Sequence, residues 1–218
     1  ACAGIIVAVV AMTGIGVVFG DMMISLANGN TFLALVFSAL ACIVLGMGLP
    51  TTASYVIAAS IIAPALTRLG IPILAAHLFV FYYACLSAIT PPVALAAYAA
   101  AGISGGTPMK TAIEACKVGF AGFIIPFMFV YNSALMAVGT AGNVIWCAIT
   151  GLVGVIAMSA GFQGWFFKKL NMVERIIILI GGFAMVVPEI YTDYIGLAVV
   201  AVFFVLKKLV KKNQASKA

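Results

Sequence analysis

Charged residues are scarce in this chain of 218 residues: they make up 7% of it, against about 25% in an average soluble domain. Hydrophobic residues account for 66%, and the mean hydropathy is +1.29. Several uncharged windows reach about 18 residues, long enough to cross a hydrocarbon core of about 30 Å. We therefore predict an all-α fold, that of a polytopic membrane protein.

The chain also lacks the patterns expected of a metal centre or a catalytic pair. Its five cysteines show no C-x-x-C spacing, and its single histidine is His77. We therefore expect no metal centre of cysteine and histidine and no disulfide framework. His77 is interpreted as an interfacial residue, with a proton or substrate role as the alternative. Because no candidate base lies at membrane depth near the serines, we predict that the chain is not an enzyme, with no catalytic residue and no cofactor.

Apolar segments fill most of the chain and leave no room for a soluble domain. No signal peptide is visible, the connectors are short, and no repeat of 20–50 residues is present. The predicted segments are 1–19, 31–49, 51–67, 73–103, 119–136, 141–163, 172–188 and 193–208.

The basic residues suggest how these segments cross the membrane. With the C-terminal lysines in the cytoplasm, ten of the eleven basic residues fall inside and only Arg68 falls outside. Segment 73–103 must then cross once, and segments 31–67 must return to the side they left. Either a re-entrant hairpin or two full spans would satisfy that return. The net charge of +6 comes largely from the lysine tail, an anchor beside the bilayer, and indicates no nucleic-acid partner.

Two breaks interrupt the apolar runs, at residues 45–54 (LGMGLPTTAS) and 87–93 (SAITPPV). Non-helical backbone at membrane depth is tolerated only where it is buried in protein or lines a cavity. Proline removes its own N–H and displaces the carbonyl four residues earlier, so the breaks should free the carbonyls of Gly46, Ser87 and Ala88. Paired breaks of this kind are typical of solute and ion sites in transporters.

The chemistry of the breaks favours a cation over a proton relay. Threonine and serine hydroxyls lie beside the freed carbonyls, and hard cations prefer oxygen ligands. No Asp, Glu, Lys or Arg lies in the middle of an apolar segment between residues 31 and 103, whereas a proton relay usually requires such ionisable groups inside the membrane. The candidate substrate- and ion-binding residues are Gly46, Gly48, Pro50, Thr51, Thr52, Ser54, Ser87, Thr90, Pro91 and Pro92. Among them the candidate Na⁺ ligands are Gly46, Thr51, Thr52, Ser87 and Thr90.

Several other readings of these patterns remain open at this stage. Each break could be a proline kink whose backbone is satisfied by neighbouring hydroxyls. The chain could form an ion channel, although its polar residues cluster at two points and do not line a helix face. It could also be a non-catalytic membrane scaffold, although a scaffold would not need two adjacent breaks.

The residues around both breaks resemble a known transporter family. The runs at 45–57 (LGMGLPTTASYVI), 76–83 (AHLFVFYY) and 87–97 (SAITPPVALAA) are similar to the large membrane subunit of the tripartite ATP-independent periplasmic (TRAP) transporters. The likeness covers roughly residues 31–136 and is greatest to fused permeases served by TAXI-type binding proteins. Residues 140–218 resemble the extra C-terminal helices of those permeases.

The resemblance implies a fold and a mechanism. The large subunit of this family has two inverted repeats, each with a hairpin and a broken helix, and works as an elevator driven by a sodium gradient. A periplasmic binding protein delivers an organic anion of dicarboxylate, keto acid or amino acid type. Here the hairpin would be 31–67 and the broken helix 73–103, both from the second repeat. The first repeat and the small membrane subunit are missing, so we expect this chain to act as one part of a larger permease.

The resemblance also predicts the domains and the location. Residues 1–139 would form the second-repeat transport region, and residues 140–218 would form accessory transmembrane helices with a basic tail. The partners would be the binding protein, the rest of the permease, the anion and the lipid bilayer. The chain would lie in the bacterial or archaeal inner membrane as a multi-pass protein with a cytoplasmic C-terminus.

The charge distribution makes the topology testable. We predict that Lys110, Lys168 and the lysine tail are cytoplasmic, and that Glu189 and Asp193 are periplasmic. In a variant without native cysteines, single cysteines at positions 110 and 212 should resist an impermeant thiol reagent in intact cells and react after lysis. Labelling of either position in intact cells would contradict this topology.

Overall fold

The chain is almost entirely helical. A computed structural model describes residues 2–166, 168–186 and 190–215, and the all-α prediction is confirmed there. The helices are α1 (Cys2–Thr13), α2 (Ile15–Leu26), α3 (Thr31–Gly46), α4 (Thr51–Arg68), α5 (Ile73–Leu86), α6 (Leu95–Ser104), α7 (Pro108–Val118), α8 (Phe120–Tyr131), α9 (Ala141–Gln163), α10 (Met172–Val186) and α11 (Ile190–Ala215). The described residues also form one 3-10 turn (Ser133–Met136) and a hairpin of two-residue strands, β1 (Trp165–Phe166) and β2 (Lys168–Lys169).

Most of the apolar helices are shorter than a full membrane span. In the described part of the chain, only α9 is long and apolar enough to cross a membrane unaided, with a mean hydropathy of 2.0 over its most apolar stretch. Helices α7 and α8 taken together are also long and apolar enough for one span, which is bent by 42° where the two helices meet. The other apolar helices have 10–17 residues. Breaks, more than low hydropathy, therefore set the lengths of these helices.

The two predicted interruptions lie where the sequence places them. The predicted hairpin 31–67 is α3 and α4, whose turn covers residues 47–50. Asn30 caps α3, because its Oδ1 accepts hydrogen bonds from the backbone N–H groups of Phe32 and Leu33 at 2.9 and 3.3 Å. The predicted broken helix 73–103 is α5 and α6, separated by residues 87–94.

The first apolar segment differs from its prediction. It was expected to run unbroken over residues 1–19, but Gly14, with φ 67°, separates α1 from α2. Helix α2 then continues through Asp21, where a connector was expected. Asp21 can stay helical because its Oδ1 lies 2.7 Å from Nη1 of Arg68. Arg68, the one basic residue predicted to lie outside, is therefore paired. Glu189, named in the topology prediction, lies outside the described residues.

The chain divides into two compact units. The first comprises Ala1–Cys116 with Ile125–Val130, and aromatic rings fill its core. The rings of Phe79 and Tyr83 have centroids 4.9 Å apart, and Phe127 of α8 packs edge-on against Phe79 at 5.5 Å. Phe79 is fully buried. These rings fix α5, which carries the second break, to α8.

The second unit comprises Lys117–Ile124 with Tyr131–Ala218 and is built around α9, α10 and α11. Glycines let these helices approach closely. A Cβ on Gly182 of α10 would lie 3.1 Å from the carbonyl oxygen of Gly154 on α9. A Cβ on Gly196 of α11 would lie 2.7 Å from the carbonyl oxygen of Gly181 on α10. Close packing through small residues is typical of membrane helices, which lack a hydrophobic force between them.

Arg175 holds the end of α9 to the start of α10. Its Nε donates to the carbonyl of Gly161 at 3.0 Å, and its Nη2 donates to the carbonyl of Phe162 at 2.9 Å. The last carbonyls of a helix have no partner within the helix, so a guanidinium that binds two of them acts as a cap.

We expect Arg175→Ala to lower the free energy of unfolding by about 1–3 kcal/mol, because two carbonyls at the end of α9 lose their charged donor. Thermal unfolding in detergent, followed by circular dichroism, measures the change. Lys169→Ala is the matched control, since it removes an exposed positive charge from the same connector. Equal losses in both variants would contradict a capping role.

Candidate functional site

The hairpin turn and the break in the next helix pair touch each other. Ser87, 2% exposed, follows α5, and Gly46 ends α3. The Ser87 hydroxyl has one hydrogen, which is shared between the carbonyl oxygens of Ala84 at 2.8 Å and Gly46 at 3.2 Å. The second of these contacts joins residues 41 positions apart in the chain. It links the two predicted breaks directly.

Ser54 completes the contact from the first turn of α4. Its side chain is fully buried, and its Oγ has no hydrogen-bond partner in the described part of the chain. Leaving a buried hydroxyl unpaired costs about 1–3 kcal/mol, so such an atom needs an explanation. The explanation we consider is a ligand that the described residues do not include.

Gly46 lies between the two hydroxyls. A Cβ at this position would lie 2.5 Å from Oγ of Ser54 and 2.5 Å from Oγ of Ser87. Because both oxygens are 2.5 Å from one point, they are at most 5 Å apart. No real Cβ approaches an oxygen that closely, so only glycine fits at position 46 in this arrangement.

The electrostatics of this contact come from helix ends, not from charged residues. The C-terminal ends of α3 and α5 meet where Gly46 approaches Ser87, and each end carries roughly half a negative charge. No group of three or more histidine, cysteine, aspartate or glutamate residues that could hold a metal is found among the described residues. The contact is therefore a neutral, oxygen-rich place with a partial negative potential.

The carbonyls predicted to be freed by proline are not free, and that prediction is wrong. The carbonyl of Gly46 also accepts from the backbone N–H of Leu49 at 3.2 Å. The Ser87 carbonyl accepts from the N–H of Thr90 at 3.4 Å, and the Ala88 carbonyl from the N–H of Ala96 at 2.9 Å. Backbone that leaves a helix in apolar surroundings must find new donors, and the turn and the break supply them.

The other predicted residues lie around this contact in different ways. Gly48, with φ 77°, lies near the second break, since a Cβ there would be 3.7 Å from Cγ1 of Val93. The Thr90 hydroxyl donates to the carbonyl of Leu86 at 2.7 Å. Pro50 precedes α4, Thr51 is half-buried, Thr52 is exposed, and Pro91 and Pro92 lie within the second break. Of the predicted residues, Gly46, Ser54 and Ser87 are the ones that meet in one place.

Two residues that hold the second break were missed by the sequence reasoning. The Tyr98 hydroxyl donates to the carbonyl of Pro92, and the Cys116 thiol donates to the carbonyl of Ile89 at 3.3 Å. Cys116 was interpreted only as a small apolar residue. No spacing rule could have paired it with a carbonyl 27 positions earlier.

His77 also has a partner that the sequence did not reveal. Its Nδ1 lies 2.9 Å from the hydroxyl of Tyr55, whose ring packs edge-on against Phe81 at 5.7 Å. His77 is half-buried and precedes Ser87 by ten residues in the chain, about 15 Å along a helix. We therefore treat this pair as an interaction between α4 and α5, separate from the contact of the two breaks.

The residues present fit a small hard cation. Ser54 Oγ offers lone pairs that no donor occupies, and Ser87 Oγ keeps its lone pairs while it donates. The Gly46 carbonyl is held only by two long hydrogen bonds of 3.2 Å, at the weak end of the normal range. The two hydroxyl oxygens thus lie at most 5 Å apart, and the Gly46 carbonyl oxygen lies 3.2 Å from Ser87 Oγ.

A comparison with known protein families gave a match over most of the chain. The family described as "Tripartite ATP-independent periplasmic transporter, DctM component" matches residues 1–144, about two thirds of the chain. The chain belongs to the DctM family. It is therefore a permease component of a TRAP transporter, a multi-pass protein of the inner membrane, and a partner of the other components of that system. The predicted family is confirmed.

The C-terminal part matches a different family. Residues 144–210 match a domain of unknown function, DUF3394. No curated protein and no solved structure gave a significant match to the chain. The predicted division into a transport region, 1–139, and an accessory region, 140–218, stays a prediction.

We expect Gly46→Ala to destabilise the protein by about 1–3 kcal/mol, because its methyl group would overlap two buried hydroxyls. Adding Ser54→Ala should restore part of this loss by removing one of them. Denaturant unfolding of the single and double variants measures both effects. Gly102→Ala is the control, since nothing lies within 4 Å of that Cβ position. A loss of stability that Ser54→Ala does not relieve would contradict the geometry.

Proposed function

We propose that this DctM chain forms the second-repeat half of a sodium-coupled, elevator-type permease that imports an organic anion. The observation that carries the proposal is the meeting of Gly46, Ser54 and Ser87, where one buried hydroxyl oxygen has no partner. The hairpin of α3 and α4 supplies two of these residues, and the break after α5 supplies the third.

Sodium is the ion that this chemistry favours. Alternating access requires binding that is weak enough to be reversed, and neutral oxygens meet that requirement better than a carboxylate does. The ends of α3 and α5 add a partial negative potential without adding a titratable group. Ser54 and Ser87 would bind the ion through their hydroxyls, and Gly46 would bind it through its carbonyl. The same neutral set argues against a proton as the ligand at this place.

Helix N-termini favour an organic anion as the transported solute. Helix α4 begins at Thr51 directly after the hairpin turn, and α6 begins at Leu95 directly after the second break. Each N-terminus carries a partial positive charge, and in α6 the N–H of Ala96 already donates to the carbonyl of Ala88 at 2.9 Å. The hydroxyls of Thr51 and Thr52 lie in the first turn of α4 and would add hydrogen bonds to a carboxylate. Dicarboxylates, keto acids and amino acids all carry the required group.

An elevator mechanism requires the ion site to move as one body. The hydrogen bond from Ser87 to Gly46 ties the hairpin turn to the broken helix, and the edge of Val93 lies beside Gly48. Movement of one break without the other would expose backbone groups to lipid, which costs several kcal/mol per group. The remaining components would then be a TAXI-type periplasmic binding protein, the first repeat and the small membrane subunit.

We expect Ser54→Ala to separate a ligand role from a structural one. Removing an unpaired buried hydroxyl should leave the free energy of unfolding unchanged or raise it by up to about 1 kcal/mol. In the complete transporter, reconstituted with its binding protein in proteoliposomes, the half-saturating sodium concentration should rise roughly five-fold or more, as one ligand oxygen is lost. Uptake measured against sodium concentration gives the second quantity.

Ser38→Ala is the matched control for this prediction. Ser38 is also fully buried, but its hydroxyl donates to the carbonyl of Ala34 at 2.7 Å. The control should lose some stability and keep its sodium curve. If Ser54→Ala folds normally and its sodium curve is unchanged, the assignment of Ser54 is wrong. If the unmodified transporter takes up its anion without sodium, sodium coupling itself is wrong.

A further inference from the structure

Asp193 is a buried carboxylate in a region to which no function is assigned. It lies in the first turn of α11, within residues 144–210, and is 7% exposed. Asp193 was predicted to be periplasmic, which stays a prediction, and the structure adds that this residue is buried. An ionisable residue buried among apolar membrane helices is expensive and usually has a function.

The contacts of Asp193 come mainly from α9. Its Oδ2 accepts a hydrogen bond from Nε1 of Trp146 at 3.1 Å. The Thr150 hydroxyl, 1% exposed and one turn further along α9, lies near the carboxylate and donates its one hydrogen to the carbonyls of Trp146 at 3.1 Å and Cys147 at 3.3 Å. The ring of Tyr194 packs against the Trp146 indole with centroids 5.5 Å apart. This group of residues, the Asp193 cluster, joins α9 to α11.

No described cation balances the charge of Asp193. Helix α9 contains no charged residue, and α10 has its two, Glu174 and Arg175, in its first turn. The α10 residue closest to the neighbouring turn of α11 is Met185, which packs on Gly196. Met185 lies ten residues from Arg175, about 15 Å along the helix. The titratable groups beside Asp193 in the described structure are therefore Cys147 of α9 and the tyrosine of its own helix, Tyr194.

A buried carboxylate without a cation can be stabilised in two ways. Hydrogen-bond donors can hold its charge, as the Trp146 indole does, or a proton can remove the charge. The charged and the protonated forms of Asp193 differ in the strength of the hydrogen bond that they accept from Trp146 of α9. A hydrogen bond to a charged acceptor is roughly twice as strong as one to a neutral acceptor, so a proton on Asp193 would weaken the bond from Trp146.

We propose that Asp193 is a proton-binding site, and that the bond between Asp193 and Trp146 is a pH-sensitive link between α9 and α11. Deprotonated Asp193 accepts a strong hydrogen bond from the indole N–H of Trp146, and protonation of Asp193 weakens that hydrogen bond. The site is separate from the contact of the two breaks, and the proposal does not depend on sodium coupling.

The chain offers a direct optical test, because it contains only two tryptophans. In a Trp165→Phe variant in lipid nanodiscs, all tryptophan emission comes from Trp146. Trp165 is exposed and lies in β1, so its replacement should leave the Asp193 cluster intact. We expect a reversible sigmoidal change in emission as Asp193 titrates, because the hydrogen bond of the indole changes strength.

Two further substitutions in that variant decide the origin of the change. Asp193→Asn should abolish it, since the amide does not titrate. Asp21→Asn should preserve it, because Asp21 is the only other aspartate in the chain and pairs with Arg68. A flat profile in the Trp165→Phe variant, or a transition that survives Asp193→Asn, would overturn the proposal.

A second measurement leaves Asp193 itself unchanged and applies even if Asp193→Asn fails to fold. In the Asp21→Asn variant, Asp193 is the only aspartate, so ¹³C-labelled aspartate reports its carboxyl carbon alone. We expect that signal to shift over the same pH range as the Trp146 emission. A carboxyl signal that stays constant while the pH is varied over the range in which the variant stays folded would overturn the proposal.

Discussion

The hydrogen bond from Ser87 to the carbonyl of Gly46 is the contact on which the first unit depends. Backbone that leaves a helix in apolar surroundings must find a new partner, and here the Gly46 carbonyl of the first break accepts a hydrogen bond from the Ser87 hydroxyl of the second. Gly46 permits the close approach because it has no side chain. The hydroxyl of Ser54, in α4, packs against the same position. The aromatic packing of Phe79 then holds α5, and with it the break.

The same contact explains why a site can exist without charge. Two helix ends that meet at Gly46 and Ser87 bring carbonyl and hydroxyl oxygens together, and their dipoles supply the potential that a carboxylate would supply elsewhere. Proline does not create ligands by leaving carbonyls empty, since each carbonyl expected to be free accepts another bond. The oxygen left without a partner is a side-chain hydroxyl, Ser54 Oγ. Membership of the DctM family shows that the chain is a component of a transporter, and the role of this contact, the ion and the solute remain proposals.

The second unit follows a different physical rule. Glycines bring α9, α10 and α11 close together, and close packing excludes water from whatever polar group lies between them. Asp193 is such a group, so its charge depends on Trp146 and its neighbours, not on solvent. Residues 140–218, predicted to form accessory transmembrane helices and a basic tail, thus contain a buried titratable group, and family membership assigns it no function.

The sequence by itself determined the all-α class and the interruptions at residues 45–54 and 87–93, because glycine, proline and capping residues act locally: Asn30 starts α3, and Pro50 precedes α4. The break at Gly14 was missed. The sequence also determined the family, through short runs of residues around the two breaks. Only the tertiary structure decided which of ten candidate residues meet, because hydrogen bonds such as Ser87 to Gly46 join positions 41 residues apart. The burial of Asp193 was decided in the same way. Composition counts charges along a chain, but burial depends on the helices that pack around each charge.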